Sequence, residues 1–206
     1  SKEQDKKILE GNDGWPFAPP LLEDIYNFED VLQVGLILNT FIRRSNVVKI
    51  ACLAQLVNVI APIMTVPNGP AWRQTTFYPY LYASLYGRGK ALDLKVESPT
   101  YASDVAGDVA YADITGVHDE ATGHVTFFAV NRHASEAIDT TIDLTGFGSA
   151  TLVDHQVMTH ADLKAVNSAE NPGNVAPKQG SGAMLAGGKL AVSLPAYSYQ
   201  MIRLKL

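Results

Sequence analysis

Val47-Val48-Lys49-Ile50-Ala51-Cys52-Leu53-Ala54-Gln55-Leu56-Val57 is the stretch on which the fold turns. It is almost continuously apolar, and Val47, Val48, Ile50 and Val57 are β-branched. Such a run reads as a strand covered on both faces, the habit of parallel sheets. A parallel strand needs parallel neighbours, and the sequence that follows offers none. Upstream, Phe28 to Arg44 predicts a helix: Asn27 suits an N-cap, and Asp30 stands where a capping box places its acidic residue. Glu29 and Asp30 meet the positive end of the helix dipole, Arg43 and Arg44 the negative end. Apolar residues from Phe28 to Ile42 are numerous enough to bury much of the helix. Gly35 costs about 1 kcal/mol of propensity there, which predicts close approach to a neighbouring backbone. Downstream, Phe77, Leu81 and Leu85 set a second helix over about Thr75 to Tyr86, with Pro79 in its first turn and Gly87 as its stop. Residues 21–89 therefore read as helix, buried strand, loop, helix. A (β/α)8 barrel typically takes about 250 residues, so only its last part would be present.

Beyond residue 90 the pattern changes. Leu92, Leu94 and Val96 alternate with Asp93, Lys95 and Glu97. Short runs follow at 109–117, 124–131, 137–144, 149–158, 189–194 and 197–206. Turn signals such as Glu120-Ala121-Thr122-Gly123 and Gly146-Phe147-Gly148 separate them. Residues 167–188 form a Pro/Gly/Asn/Ser-rich excursion. Residues 90–206 thus predict an antiparallel sandwich of jelly-roll type. The expected class is α/β plus all-β: the last part of a (β/α)8 barrel, then a C-terminal jelly-roll β-sandwich. Residues 1–20 read as a loop. Gly11-Asn12-Asp13-Gly14 is turn chemistry, Pro16, Pro19 and Pro20 bar a helix, and Trp15 and Phe17 ask for something to pack on.

Composition narrows the functional classes. The chain has 206 residues, with 16 Lys plus Arg against 21 Asp plus Glu and a net charge of −5. That balance lacks the basic footprint of a nucleic-acid binder. One cysteine cannot form an internal disulfide, so this is no stapled secreted mini-domain, and the lack of an Asn-x-Ser/Thr sequon fits a reducing compartment; the family resemblance given below implies a cytoplasmic protein. The longest apolar stretch, Val47 to Met64, is interrupted by Lys49, Gln55, Asn58 and Pro62, so no membrane span is expected. The polar start, Ser1-Lys2-Glu3-Gln4-Asp5-Lys6-Lys7, has no signal-peptide core.

Few residues carry chemistry. Gln55 lies near the C-terminal end of the expected strand, where barrel enzymes keep their active residues. Its amide donates and accepts, which suits a pair of sugar hydroxyls. On spacing alone, a strand-end Gln bonded to a nearby loop is the more frequent outcome. Asn58 and the loop from Asn68 to Arg73 belong to the same rim, and Trp72 reads as a core aromatic or a sugar platform. A glycosidase needs two carboxylates about 5–5.5 Å or about 6.5–9.5 Å apart. Glu29 and Asp30 are explained as helix N-terminal charges, and Glu23 and Asp24 precede a helix, so none is nominated. His118, His124, His133, His155 and His160 lack zinc-ligand spacing, no Gly-rich loop follows the strand, and Cys52 reads as an inert core thiol.

As a string, Pro19-Pro20-Leu21-Leu22-Glu23-Asp24-Ile25-Tyr26-Asn27-Phe28-Glu29-Asp30, then Val48 through Ile63, then Ala71-Trp72-Arg73-Gln74-Thr75-Thr76-Phe77-Tyr78-Pro79, resembles the α-L-arabinofuranosidases of glycoside hydrolase family 51. Asp162-Leu163-Lys164-Ala165-Val166-Asn167 and Glu170-Asn171-Pro172 continue the likeness. The resemblance implies a barrel followed by a jelly roll, and a retaining mechanism with one Glu as acid/base and another as nucleophile. The family's Asp-Glu-Trp-Asn nucleophile motif is absent, so neither catalytic glutamate is expected here. Gln55 matches a position on barrel strand 8 whose amide bonds the arabinofuranose, and residues 1–20 match the loop after strand 7. The implied partners are an arabinofuranosyl oligosaccharide, the N-terminal catalytic part of the same enzyme, and further copies in a hexamer; no metal cofactor is implied. The competing expectation is a non-catalytic sandwich that binds glycans or scaffolds an assembly.

Overall fold

The structure, a computed structural model, describes residues 24–206. The loop expected over residues 1–20 lies outside the described residues. Helix α1 spans Phe28–Arg43, one residue short of its expected end. The Asn27 side chain accepts from the Asp30 amide at 3.2 Å, and Asp30 Oδ2 accepts from the Asn27 amide at 2.8 Å. Two N-terminal amides that the helix cannot satisfy are thereby paired.

The strand expected over Val47–Val57 does not form. Among the described residues these residues join no ladder, and Val47 and Val48 both donate to the Arg44 carbonyl at 2.8 Å. Val47, Ile50 and Leu56 are 74, 83 and 73% exposed, and Cys52 is exposed too, so the expected core thiol is corrected. The physical reason is pairing: a strand buried on both faces is held by neighbours on both edges, and none is present among the described residues. In their place the backbone coils, with positive φ at Gln55, Asn58 and Val59.

A small hairpin follows, β1 (Ile63–Thr65) with β2 (Ala71–Arg73), and then helix α2 (Phe77–Tyr86). Pro79 sits in the first turn of α2, where its missing N–H leaves no bond unmade. Gly87 caps the helix, and a Cβ there would meet the Ala83 carbonyl oxygen at 2.5 Å.

The remaining strands are β3 (Lys90–Ala91), β4 (Thr100–Ser103), β5 (Gly107–Ala110), β6 (Ala112–Asp119), β7 (His124–Asn131), β8 (Ile138–Asp143), β9 (Thr151–Thr159), β10 (Lys178–Gln179), β11 (Met184–Ala186), β12 (Lys189–Leu194) and β13 (Ser198–Lys205). They form a two-sheet sandwich. One sheet has the order β10-β9-β13-β7-β6-β3, the other β11-β12-β8, and every pairing is antiparallel. A separate β4–β5 hairpin stands beside them. The alternating stretch 92–97 pairs only at its start, through the Leu92 amide on the Gly116 carbonyl at 2.9 Å.

The larger sheet is covered on both faces. Ile114, Phe127, Ala129, Ile202 and Leu204 face Leu190, Val192 and Leu194 of the smaller sheet. Val117, Phe128, Val130, Tyr199 and Met201 face Phe28, Val31 and Leu32 of α1 and Tyr78 of α2. Strands β7 and β13 are therefore buried along nearly their whole length. Gly35 lets α1 approach, but its close neighbour is a side chain and not the expected backbone: a Cβ there would lie 2.8 Å from Tyr199 Cδ2.

Candidate functional site

The rim expected around Gln55 is built from the segment after α1, the β1–β2 hairpin and the chain entering α1. Gln55 itself is exposed, in the left-handed region at φ 57. Asn58 is not free to meet a ligand. Its Oδ1 accepts from the Thr65 amide at 2.7 Å, and its Nδ2 donates to Thr65 Oγ1 at 2.9 Å. Asn58 thus closes the loop that carries Gln55, tolerating positive φ as Asn does. Trp72, on β2, is half-buried, and Arg73 lies over the Phe77 ring at 4.9 Å.

Gln74 holds this rim together. It is 2% exposed. Its Nε2 donates to the carbonyls of Asp24 (2.9 Å) and Ala61 (2.8 Å), and its Oε1 accepts from the Tyr26 amide at 3.0 Å. The Tyr26 hydroxyl donates to the Ile60 carbonyl at 2.9 Å. Burial, with Asp24 and Asp30 nearby, raises the Tyr26 pKa, so it stays a neutral donor. Asn167, from the long excursion, donates to the Arg73 and Val175 carbonyls and accepts from the Val175 amide at 2.7 Å. Sequence reading missed Gln74 and Asn167 as anchors.

The acidic residues near α1 are structural. Asp30 serves the cap, and Glu29 pairs with Lys164. Asp24 is exposed, and Glu23 lies outside the described residues. Among the described residues, no three His, Cys, Asp or Glu side chains gather as metal ligands. Each histidine has a local environment. His155, for example, is buried with its Nε2 2.7 Å from Gln200 Oε1, and His118 meets the Phe147 ring edge-on. Among the described residues no helix is long and apolar enough to cross a membrane. Among the described residues the rim offers the exposed amides of Gln55 and Asn68, and its acidic side chains Glu29 and Asp30 are already engaged.

The chain is similar to known proteins over nearly its whole length. A protein of Halalkalibacterium halodurans described as an intracellular exo-α-(1→5)-L-arabinofuranosidase is 46% identical over 204 residues, covering 99% of this chain and 40% of its own length. A Bacillus subtilis protein of the same description is also 46% identical, with 100% and 40% covered. The structure of a family 51 α-L-arabinofuranosidase from Bifidobacterium longum superposes with a TM-score of 0.85 at 38% identity, covering 97% of this chain and 39% of that one. The chain spans about 40% of the length of the curated relatives it matches. The sequence profile described as the α-L-arabinofuranosidase C-terminal domain matches residues 2–198, and the chain belongs to that family.

Proposed function

We propose that this chain is the C-terminal part of a retaining, exo-acting α-L-arabinofuranosidase of glycoside hydrolase family 51. The enzyme removes terminal non-reducing α-L-arabinofuranosyl units from arabinoxylan and arabinan oligosaccharides. The single observation that carries this reading is the 46% identity, sustained over nearly the whole chain, to a protein described as an intracellular exo-α-(1→5)-L-arabinofuranosidase. In this reading residues 21–89 are the last helix, strand and helix of a (β/α)8 barrel, residues 1–20 the loop before them, and residues 90–206 the jelly roll. The exposed apolar run Val47–Val57 supports it, because a barrel strand denied its neighbours leaves such a surface. The acid/base and nucleophile glutamates lie in the part of the enzyme outside this chain. Two carboxylates at glycosidase spacing are required, so the 206 residues do not catalyse alone.

Gln55 binds the sugar. Once the barrel orders residues 47–57, its amide donates to one hydroxyl of the arabinofuranose and accepts from another. The protein works in the cytoplasm as a hexamer, without a metal cofactor. The test is release of aryl alcohol from an aryl α-L-arabinofuranoside. The intact enzyme is expected to be active and the 206-residue chain alone inactive; activity of the chain alone overturns the reading. In the intact enzyme, Gln55→Ala is expected to lose about 1–3 kcal/mol of transition-state binding, a fall in kcat/KM of about 5- to 150-fold. An unchanged kcat/KM removes Gln55 from the site.

A further inference from the structure

Between Gln55 and the β1–β2 hairpin the backbone takes a strained path. Gln55, Asn58 and Val59 have positive φ, at 57, 61 and 61°. Asn visits that region readily, but at Val59 a β-branched side chain makes it an outlier. Strain of this kind persists only where the surroundings over-determine it, and such places gather at functional sites.

The bonds that hold the turn lie on its downstream side. The Asn58 amide donates to the Ile63 carbonyl at 2.8 Å, and the Ala61 amide to the Asn58 carbonyl at 3.0 Å. The Asp24 amide donates to the Val59 carbonyl at 2.8 Å, and the Tyr26 hydroxyl to the Ile60 carbonyl at 2.9 Å. Asn58 then crosses the mouth of the turn to Thr65, the last residue of β1. Its Oδ1 accepts from the Thr65 amide at 2.7 Å, and its Nδ2 donates to Thr65 Oγ1 at 2.9 Å. Gln55 makes none of these bonds, and its side chain is exposed. Leu56 and Val57 alone separate it from Asn58, a span too short to absorb a displacement of the anchored end.

We infer that Asn58, through its grip on Thr65, is a positioning residue of the arabinofuranosyl site: it fixes the turn that presents the Gln55 amide to the sugar hydroxyls. The inference rests on the proposed function, in which Gln55 binds the sugar. Asn58 and Thr65 are engaged with each other, so their part is to hold the turn and not to touch the substrate. Stability alone gives no reason to keep Val59 in the left-handed region, whereas a fixed place for Gln55 does. The demand on placement is severe, because a misplacement of about 1 Å can cost a reaction about 100-fold.

The test is a double-mutant cycle in the intact enzyme, read as kcat/KM on an aryl α-L-arabinofuranoside per folded protein, with thermal unfolding followed in parallel. Asn58→Gly removes the bridge and keeps the freedom to adopt positive φ. It is expected to lower kcat/KM by at least about 5-fold and by no more than Gln55→Ala does. Asn58→Asp still accepts from the Thr65 amide, and its second oxygen accepts from the Thr65 hydroxyl, so it is expected to retain the parent's kcat/KM. A loss in Asn58→Asp equal to that in Asn58→Gly overturns the inference. In the Gln55→Ala background, Asn58→Gly is expected to cost nothing further, because the group it positions is gone. Additive losses overturn the inference, since Asn58 then acts on the fold and not through Gln55. Where Asn58→Gly fails to fold, Thr65→Val, which keeps the shape and the backbone amide, enters the same cycle with the same two outcomes. The cycle also separates the two readings. An intact enzyme that does not turn over the substrate overturns the proposed activity and the inference with it. An active enzyme indifferent to Gln55→Ala removes Gln55 from the site, and an active, Gln55-dependent enzyme with additive losses overturns the positioning role alone.

Discussion

At Gln74 one amide ties the chain before α1 to the turn before β1. Replacing it with Leu leaves the Tyr26 amide and the Asp24 and Ala61 carbonyls without this partner, in or near a buried site. An unsatisfied buried group costs about 1–3 kcal/mol, so Gln74→Leu is expected to lower stability by at least that much. For a chain of this size the loss corresponds to a fall in Tm of roughly 2–4 °C per kcal/mol, measurable by calorimetry. An unchanged Tm would show that water replaces the amide without loss. The contrast with the cap of α1 explains what the sequence discloses at this scale. Asn27 and Asp30 find each other three residues apart, so the pair is visible in the string. Asn39 donates to Asp113 across 74 positions, and Asn167 to Arg73 across 94. Such partners are chosen by the tertiary fold, and no local pattern marks them. Gln55 stands between these cases: its amide is legible in the string, but the exposed loop it sits on carries no local mark of the sugar contact proposed for it.

Among the elements, α1 sets two known effects against each other at Gly35. Alanine there gains up to about 1 kcal/mol of helix propensity. Its Cβ would also press on the Tyr199 ring at 2.8 Å and on Val130 Cγ2 at 3.1 Å. Tyr199 is fully buried and cannot swing away, and overpacking costs about 1–3 kcal/mol. Gly35→Ala is therefore expected to destabilise the protein by up to about 2 kcal/mol, read as a lower midpoint of urea unfolding. A raised midpoint would mean that the ring yields. Elements whose hydrogen-bond partners lie among the described residues include the best-read ones: α1 to within a residue, β7 and β12 at their full extent. Stretches with no such partner were misread. Val47–Val57 has the composition of a strand and coils for lack of neighbours, and residues 93–97 read as a strand but enter no ladder. Burial on both faces of the larger sheet also blurs the alternation of β7 and β13, because helices cover one side and the smaller sheet the other.

For the whole molecule, the exposed run from Val47 to Val57 predicts how the isolated chain behaves. Ile50 and Leu56 lie on an apolar surface of a kind that drives association. The double variant Ile50→Lys with Leu56→Lys is expected to shift the isolated chain from associated species toward monomer in sedimentation velocity. In the intact enzyme the same changes are expected to lower the yield of folded protein. A monomeric parent chain at every concentration would show that this surface is inert. The topology carries a consequence in time as well as in space. β13 is the last of the described strands in the chain, yet it lies between β7 and β9, its eight residues pairing with both. Until it is synthesised, β7 and β9 are two open edges with no ladder between them. The β6–β7 pair and the smaller sheet can form earlier, but the two halves of the larger sheet join only once β13 is made, and until then the free edges of β7 and β9 are open to wrong pairing.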